Sequence, residues 1–294
     1  MSALQPAAMP AARGTLAGDA PAGYVPRVVR GATMVCRADL ADDLSRAIVE
    51  HGSLYAFALA QPDRRELRGR AAAWAVTLPG GDRVVVRHSW HGGLLARVTR
   101  DLFVAPSRAP RELALSARLR AAGVRTPEVV AYALYPAGPG LVRADVMTRL
   151  VPDAQDLAAL LRTQPLMRDP RGPWVRATGA LLHALARAGV RHPDLNLKNV
   201  LVTPAPRADD AHALDAWVLD LDVARLHDAP SEATRHAIGE ANLRRLERSI
   251  DKWRTQRGLA VSDLELDCLR LLARRGADTP VDLVWRPGHN VGTT

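Results

Sequence analysis

The spacing of apolar positions changes character about halfway along the chain. Before residue 150, short β-branched runs alternate with turn residues; beyond it, apolar residues recur at helical spacing. Ala41 to His51 (ADDLSRAIVEH) is amphipathic and predicts a helix. Leu67 to Val76 (LRGRAAAWAV), a turn at Pro79-Gly80-Gly81-Asp82, and Arg83 to His88 (RVVVRH) predict a β-hairpin. Arg108 to Ala122 sets Leu113, Leu115, Ala117 and Leu119 among Arg and Glu and stops before Gly123, which predicts a helix. Glu128 to Leu134 and Leu141 to Leu150 predict strands. After Val151-Pro152-Asp153, helices are expected at Leu157 to Thr163, at Trp174 to Ala188 with a stop at Gly189, at Ser231 to Trp253 and at Asp263 to Arg275. A loop from Arg191 runs into a strand ending near Thr203, and a second strand covers Ala216 to Asp220. The expected class is α+β with two lobes: a strand-rich N-lobe over 24–150, a helical C-lobe over 151–294, and a disordered tail of Ala, Pro and Gly over 1–23.

Composition adds less. Hydrophobic residues are 48% and charged residues 24% of 294, ordinary values for a folded protein. Forty Lys plus Arg against 31 Asp plus Glu give a net charge of +9, which favours an anionic partner without naming it. Only Lys198 and Lys252 are lysines, so the Arg excess mainly reflects GC-rich coding. Two cysteines, Cys36 and Cys268, are too few for a disulfide framework or a cysteine zinc site, and they point to a reducing compartment. No apolar run approaches the roughly 18 residues that span a bilayer, and the first 23 residues lack a secretory core. Nucleic-acid binding has only the net charge behind it, with no aromatic platform or known motif.

The chemistry concentrates in His192-Pro193-Asp194-Leu195-Asn196-Leu197-Lys198-Asn199, followed by Asp220-Leu221-Asp222 after an apolar strand. A carboxylate to receive a hydroxyl proton, an amide oxygen and a second carboxylate suit magnesium-assisted phosphoryl transfer, because magnesium takes hard oxygen ligands. The order H-x-D-x-x-x-x-N, apolar strand, D-x-D is the catalytic-loop and metal-loop signature of protein-kinase-like proteins. Asp194 is the candidate base; Asn199 and Asp220 are candidate metal ligands. The bland alternative is a solvated Asp/Asn turn.

The nucleotide-phosphate side departs from that pattern. A strand lysine should pair with a helix glutamate, yet no lysine precedes Lys198. Arg87, ending Val84-Val85-Val86-Arg87, stands in that place, with Glu112 its expected partner; a guanidinium can hold phosphate, with different geometry. Gly69 opens a small-residue loop that keeps one glycine of the usual three. Gly69, Arg87, Glu112 and Lys198 form the expected nucleotide-binding set. Gly92-Gly93, beside His88, His91 and Arg97, is a candidate acceptor surface or an ordinary loop. His183 reads as a packing residue. Arg191 and Arg225 flank the two motifs as candidate anion contacts. The arginines 244, 245, 248, 254 and 257 read as a solvated face, with an acidic membrane surface as the alternative.

The phrases VVVRHSWHGGLLARVTRDLFV (84–104), RELALSARLRAAGVRTPEVV (111–130), LVRADVMTRLVPDAQDLAALL (141–161), RHPDLNLKNVLV (191–202) and WVLDLDVARL (217–226) closely resemble the 3-deoxy-D-manno-octulosonic acid (Kdo) kinases, lipopolysaccharide-core kinases of Gram-negative bacteria. The RH…GGL phrase and the HPDLN form of the loop are the discriminating features, and ANLRRLERSIDK (241–252) also resembles the family. The resemblance covers about residues 50–255. It implies a protein-kinase-like fold and transfer of phosphate from ATP, with Mg2+, to the 4-hydroxyl of a Kdo residue on a lipid A precursor, at the cytoplasmic face of the inner membrane. It also implies that Asp194 is the catalytic aspartate, that Asn199 and Asp220 hold metal, and that arginine is usual at the position of Arg87. Asp222 then stands where commoner metal motifs have glycine. Two rival readings share the loop: a soluble aminoglycoside- or sugar-type phosphotransferase, and a pseudokinase that binds nucleotide without turnover.

Overall fold

The computed structural model describes residues 20–67, 72–90, 101–105, 107–163, 172–205, 210 and 212–276. The expectations for residues 1–19, for Gly69 and Ala71, and for His91, Gly92, Gly93 and Arg97 lie outside the described residues. The chain divides into two compact units, residues 1–154 with 217–226, and residues 155–216 with 227–294. The segment carrying Asp220 and Asp222 therefore belongs to the first unit, although it follows much of the second in sequence.

The first unit is built on an antiparallel sheet. Its strands are β1 (Tyr24–Val29), β2 (Ala32–Arg37), β3 (Arg65–Leu67), β4 (Ala73–Thr77), β5 (Arg83–His88), β6 (Phe103–Val104), β7 (Val129–Pro136) and β8 (Leu141–Arg149). They run in the order β1-β2-β7-β8-β5-β4-β3, with β6 also on β8. The hairpin forms with Thr77 opposite Arg83 and Ala73 opposite Arg87. Helices α1 (Ala41–His51) and α2 (Leu54–Ala60) close a core with Met34, Cys36, Val84, Val86 and Met147. Helix α3 (Ala109–Ala121) closes a second with Val35, Tyr132, Ala144 and Val146. Successive strand side chains face opposite ways, so β2 sends Met34 and Cys36 to one core and Val35 to the other.

The second unit is mainly helical. It holds β9 (Gln155–Asp156), α4 (Leu157–Thr163), α5 (Pro173–Arg187), β10 (Val190–Arg191), β11 (Val200–Pro204), β12 (Leu214–Val218), α6 (Glu232–Arg257) and α7 (Asp263–Arg275), with the last two residues of β12 counted in the first unit. A short β13 (Arg225–Leu226) belongs to the first unit. The strand expected over 216–220 instead covers 214–218, because Asp220 turns into the left-handed region (φ 62°, ψ 55°). Ser262 caps α7 in a full capping box with Glu265. Glu265 is buried, and the indole of the fully buried Trp174 donates to it at 3.1 Å, which ties α5 to α7. The two helices meet at Gly179, where an added Cβ would lie 2.6 Å from Leu272 Cβ. Gly179→Ala should therefore force the helices apart and cost about 1–3 kcal/mol. Calorimetry should register a fall in Tm of about 2–10 °C, and an unchanged Tm would contradict this packing.

Candidate active site

The sheet unit brings together Arg87, Glu112, Asp220 and Asp222. Val84 and Val86 face the core under α1 and α2, so alternation turns Arg87 to the other side, toward α3. There its guanidinium donates to both carboxylate oxygens of Glu112, which is 5% exposed. Burial weakens the arginine's hold on its proton, but Glu112 outweighs it and the guanidinium pKa is raised, with smaller help from Asp220 and Asp222. The pair expected from sequence is formed, by a planar fork in place of an ammonium.

Helix α3 also holds the segment that carries the D-x-D motif. Arg108 Nη1 lies 3.2 Å from Asp222 Oδ2, and Arg111 Nη2 donates to Ala224 O at 2.8 Å. Neither arginine stands out in the sequence, since both lie among the polar positions of an ordinary amphipathic helix. The edge of Asp220 is exposed, yet the surrounding protein desolvates the carboxyl and pushes its pKa up to about 6; the Asp222 carboxylate adds to the shift and Arg87 opposes it. Asp222 Oδ1 is buried and, among the described residues, has no hydrogen-bond partner.

Two carboxylates and an orphaned oxygen fit a divalent cation. Among the described residues no group of three His, Cys, Asp or Glu is placed to hold a metal.

The helical unit brings together Asp194 and Asn199. Asn199 Nδ2 and Asn196 Nδ2 both donate to the main-chain oxygen of Asp194, each at 2.9 Å. That bond fixes the amide of Asn199, leaving its Oδ1 as the available acceptor, the atom a metal would need. Lys198 is exposed on the same loop.

Three residues on one face of α6, at positions i, i+3 and i+7, clamp this loop. Asn242 accepts from His192 N and donates to Val190 O, each at 2.8 Å. Arg245 Nε donates to Pro193 O at 3.0 Å and its Nη2 to Asp194 Oδ1 at 2.7 Å. Ser249 Oγ accepts from Leu197 N at 3.2 Å. Arg245 was expected on a solvated face; the structure corrects this, because its side chain is 27% exposed and its guanidinium is engaged at two points. The missed signal was the spacing of Asn242, Arg245 and Ser249.

His88, a candidate for the acceptor surface, faces the other way from Arg87. Its Nδ1 lies 2.6 Å from the fully buried Asp145 and its Nε2 3.2 Å from Asp101. Burial disfavours the imidazolium, but the two carboxylates win and raise the pKa. These contacts hold His88 inside the sheet unit. Arg191 and Arg225 are exposed and His183 is half-buried.

A family model described as the lipopolysaccharide kinase (Kdo/WaaP) family matches residues 56–273. The 3-deoxy-D-manno-octulosonic acid kinase of Actinobacillus succinogenes is 30% identical over 202 residues, covering 67% of this chain and 78% of that protein. The kinase of the same name from Vibrio cholerae is 29% identical over 195 residues, or 65% and 74% of the two chains. Among solved structures, WaaP in complex with acyl carrier protein matches with TM-score 0.46 and 20% identity over 71% of this chain and 77% of that one. The Rio2 kinase–ADP/Mg2+–phosphoaspartate complex from Chaetomium thermophilum gives 0.41 and 20%, over 72% and 62%.

The Asp220 shift has a measurable consequence without metal. The folded protein holds this proton up to about pH 6 and the unfolded chain releases it near 3.8. Stability therefore falls as pH rises through that window, and the cost is fully present above it. Asp220→Asn, which also tolerates a positive φ, should raise Tm at pH 7.5 and leave it unchanged near pH 3.5. Solvent screening at an exposed site limits the gain to about 1 kcal/mol, roughly 2–4 °C. A lower Tm at pH 7.5 in metal-free buffer would contradict the repulsion.

Proposed function

The chain belongs to the lipopolysaccharide kinase (Kdo/WaaP) family, and from that premise we propose that it transfers the γ-phosphate of ATP to the 4-hydroxyl of a Kdo residue on a lipid A precursor. The observation that carries the reading is the loop in which, among the described residues, Asp194 keeps one carboxylate oxygen unclaimed, beside an Asn199 whose amide nitrogen is the atom engaged. Asp194 orients the sugar hydroxyl and takes its proton as the oxygen–phosphorus bond forms and ADP leaves. Arg87, held in the sheet by Glu112, together with Gly69 and Lys198, contacts the nucleotide. Asn199 and Asp220, with Asp222, would hold Mg2+, which supplies charge neutralisation on the leaving phosphates. Most of the acceleration comes from positioning and fixed charge.

Work on a lipid-linked sugar places the protein at the cytoplasmic face of the inner membrane as a peripheral protein. No helix among the described residues is long and apolar enough to cross a bilayer, and the net charge of +9 suits an anionic surface. The Kdo kinases that the chain resembles favour the lipid-linked acceptor over a free aminoglycoside. The pseudokinase reading rests on the missing strand lysine and the eroded glycine loop, and the formed Arg87–Glu112 pair speaks against the first of these.

Radiolabel from [γ-32P]ATP should pass to Kdo-lipid A precursor in the presence of Mg2+, stop with chelator, and not pass to a free aminoglycoside. Asp194→Asn should lower kcat by about 10²–10⁴-fold with the fold retained by circular dichroism. Full transfer by that variant, or label on the aminoglycoside instead, would sink the proposal.

A further inference from the structure

Asp194 is held in a way that anchoring the loop does not require. The loop's main chain is pinned at His192 N by Asn242 and at Leu197 N by Ser249, while the Asp194 carbonyl is bonded by Asn196 and Asn199. The backbone on both sides of Asp194 is thus fixed without Arg245. The guanidinium does something separate: it grips one oxygen of the carboxylate itself.

Two features make that grip directional. Arg245 Nε is bonded to Pro193 O at 3.0 Å, so the planar fork cannot swing about its own axis when Nη2 meets Asp194 Oδ1 at 2.7 Å. The Arg245 and Asp194 side chains are 27% and 32% exposed, so the pair is shielded enough to persist while the carboxylate still reaches solvent. With Oδ1 engaged, rotation about the last side-chain bond of Asp194 is arrested and Oδ2 is the oxygen left to face an incoming group. A guanidinium is effectively always protonated, so it cannot compete with the carboxylate for a substrate proton.

We infer that Arg245 is a positioning residue for phosphoryl transfer: it claims Oδ1 of Asp194 and thereby presents Oδ2 to the acceptor hydroxyl. The inference rests on the proposed role of Asp194 and adds a requirement to it. In the transfer step the acceptor O–H breaks toward Oδ2, the acceptor oxygen bonds to the γ-phosphorus, and the bond from that phosphorus to the bridging oxygen breaks to release ADP. Arg245 exchanges no proton at any point.

Steady-state kinetics on purified full-length Arg245→Ala, with ATP and Kdo-lipid A precursor, test it. Misplacing the carboxylate should lower kcat by about 100-fold, leave both KM values within about twofold, and be partly reversed by millimolar guanidinium, which can re-enter the vacated space. A kcat within twofold of the parent, a loss expressed in KM for the acceptor, or a kcat loss that guanidinium leaves untouched would each overturn the inference. The KM outcome would make Arg245 a substrate-binding cation instead. If Arg245→Ala is unfolded by circular dichroism, Arg245→Lys decides. Its single ammonium cannot make both bonds, so kcat should drop by about tenfold, and an undiminished kcat would overturn the inference. Asp194→Asn run in parallel separates the two claims. If that variant is also fully active, the role of Asp194 itself has failed; if it is inactive while Arg245→Ala is normal, only the positioning role has failed.

Discussion

A loop that must present a carboxylate has no ladder of backbone hydrogen bonds to hold it, so its order has to come from side chains reaching in from a rigid element. In this protein that element is α6. Its 26 residues, capped by Ser231, supply one face from which Asn242, Arg245 and Ser249 reach the loop at His192, Pro193, Asp194 and Leu197. Asn242 is wholly buried, and its amide bonds main-chain groups on both sides of β10's end. A buried amide that satisfies one donor and one acceptor of the same short segment specifies that segment's path, because any other path leaves polar groups unpaired at a cost of about 1–3 kcal/mol each. The position of Asp194 depends on that constraint.

The sheet unit solves the same problem by strand alternation. One step along β5 separates two basic side chains with different partners. Arg87 meets Glu112 on the α3 side, while His88 lies among Asp145, Asp101 and the ring of Tyr55 on the other. The β5 register places His88 directly opposite Asp145, so a one-residue slip would send each side chain to the wrong face. Specifying Arg87 and internalising His88 are thus one event. Asp145 Oδ2 also accepts from Tyr55 N at 2.9 Å, and Leu54 N donates to the hydroxyl of Tyr135, which ties the start of α2 to the same buried network.

Much of this was legible in the sequence where local pattern and local structure agree. The helices at 41–51 and 263–275 follow the written spacing to the residue, and the Pro79-Gly80-Gly81-Asp82 turn joins the expected second strand to β4, which covers only 73–77 where 67–76 was expected. Helix α2 was not legible: LYAFALA is apolar almost throughout and lacks a polar face to show its period. Its start is set by Ser53 accepting from Ala56 N. Strands β1 and β2 lie within a stretch of mixed polarity, since β1 is largely exposed, and they become strands by pairing with each other and with β7. The short motif around Asp194 and Asn199 was visible because its residues are close in sequence. Its support was hidden because about 50 residues separate Asn242, Arg245 and Ser249 from the groups they hold.

The same distinction explains why several arginines escaped notice in the sequence while the paired carboxylates drew it. In a chain with 40 basic residues, nearly all of them arginine, one more arginine on a helix carries little information, and Arg108, Arg111 and Arg245 are hidden by their own abundance. A carboxylate placed beside another carboxylate is different, because repulsion makes the arrangement costly unless something repays it. Asp220 and Asp222 stand two residues apart with Arg108 on one oxygen of Asp222 and no donor on the other. Among the described residues, Arg87 and Arg108 face three carboxylates counting Glu112, so the cluster retains net negative charge. Residual repulsion in a folded protein is a reason to look for the cation that relieves it, and a nucleotide brings such a cation with it.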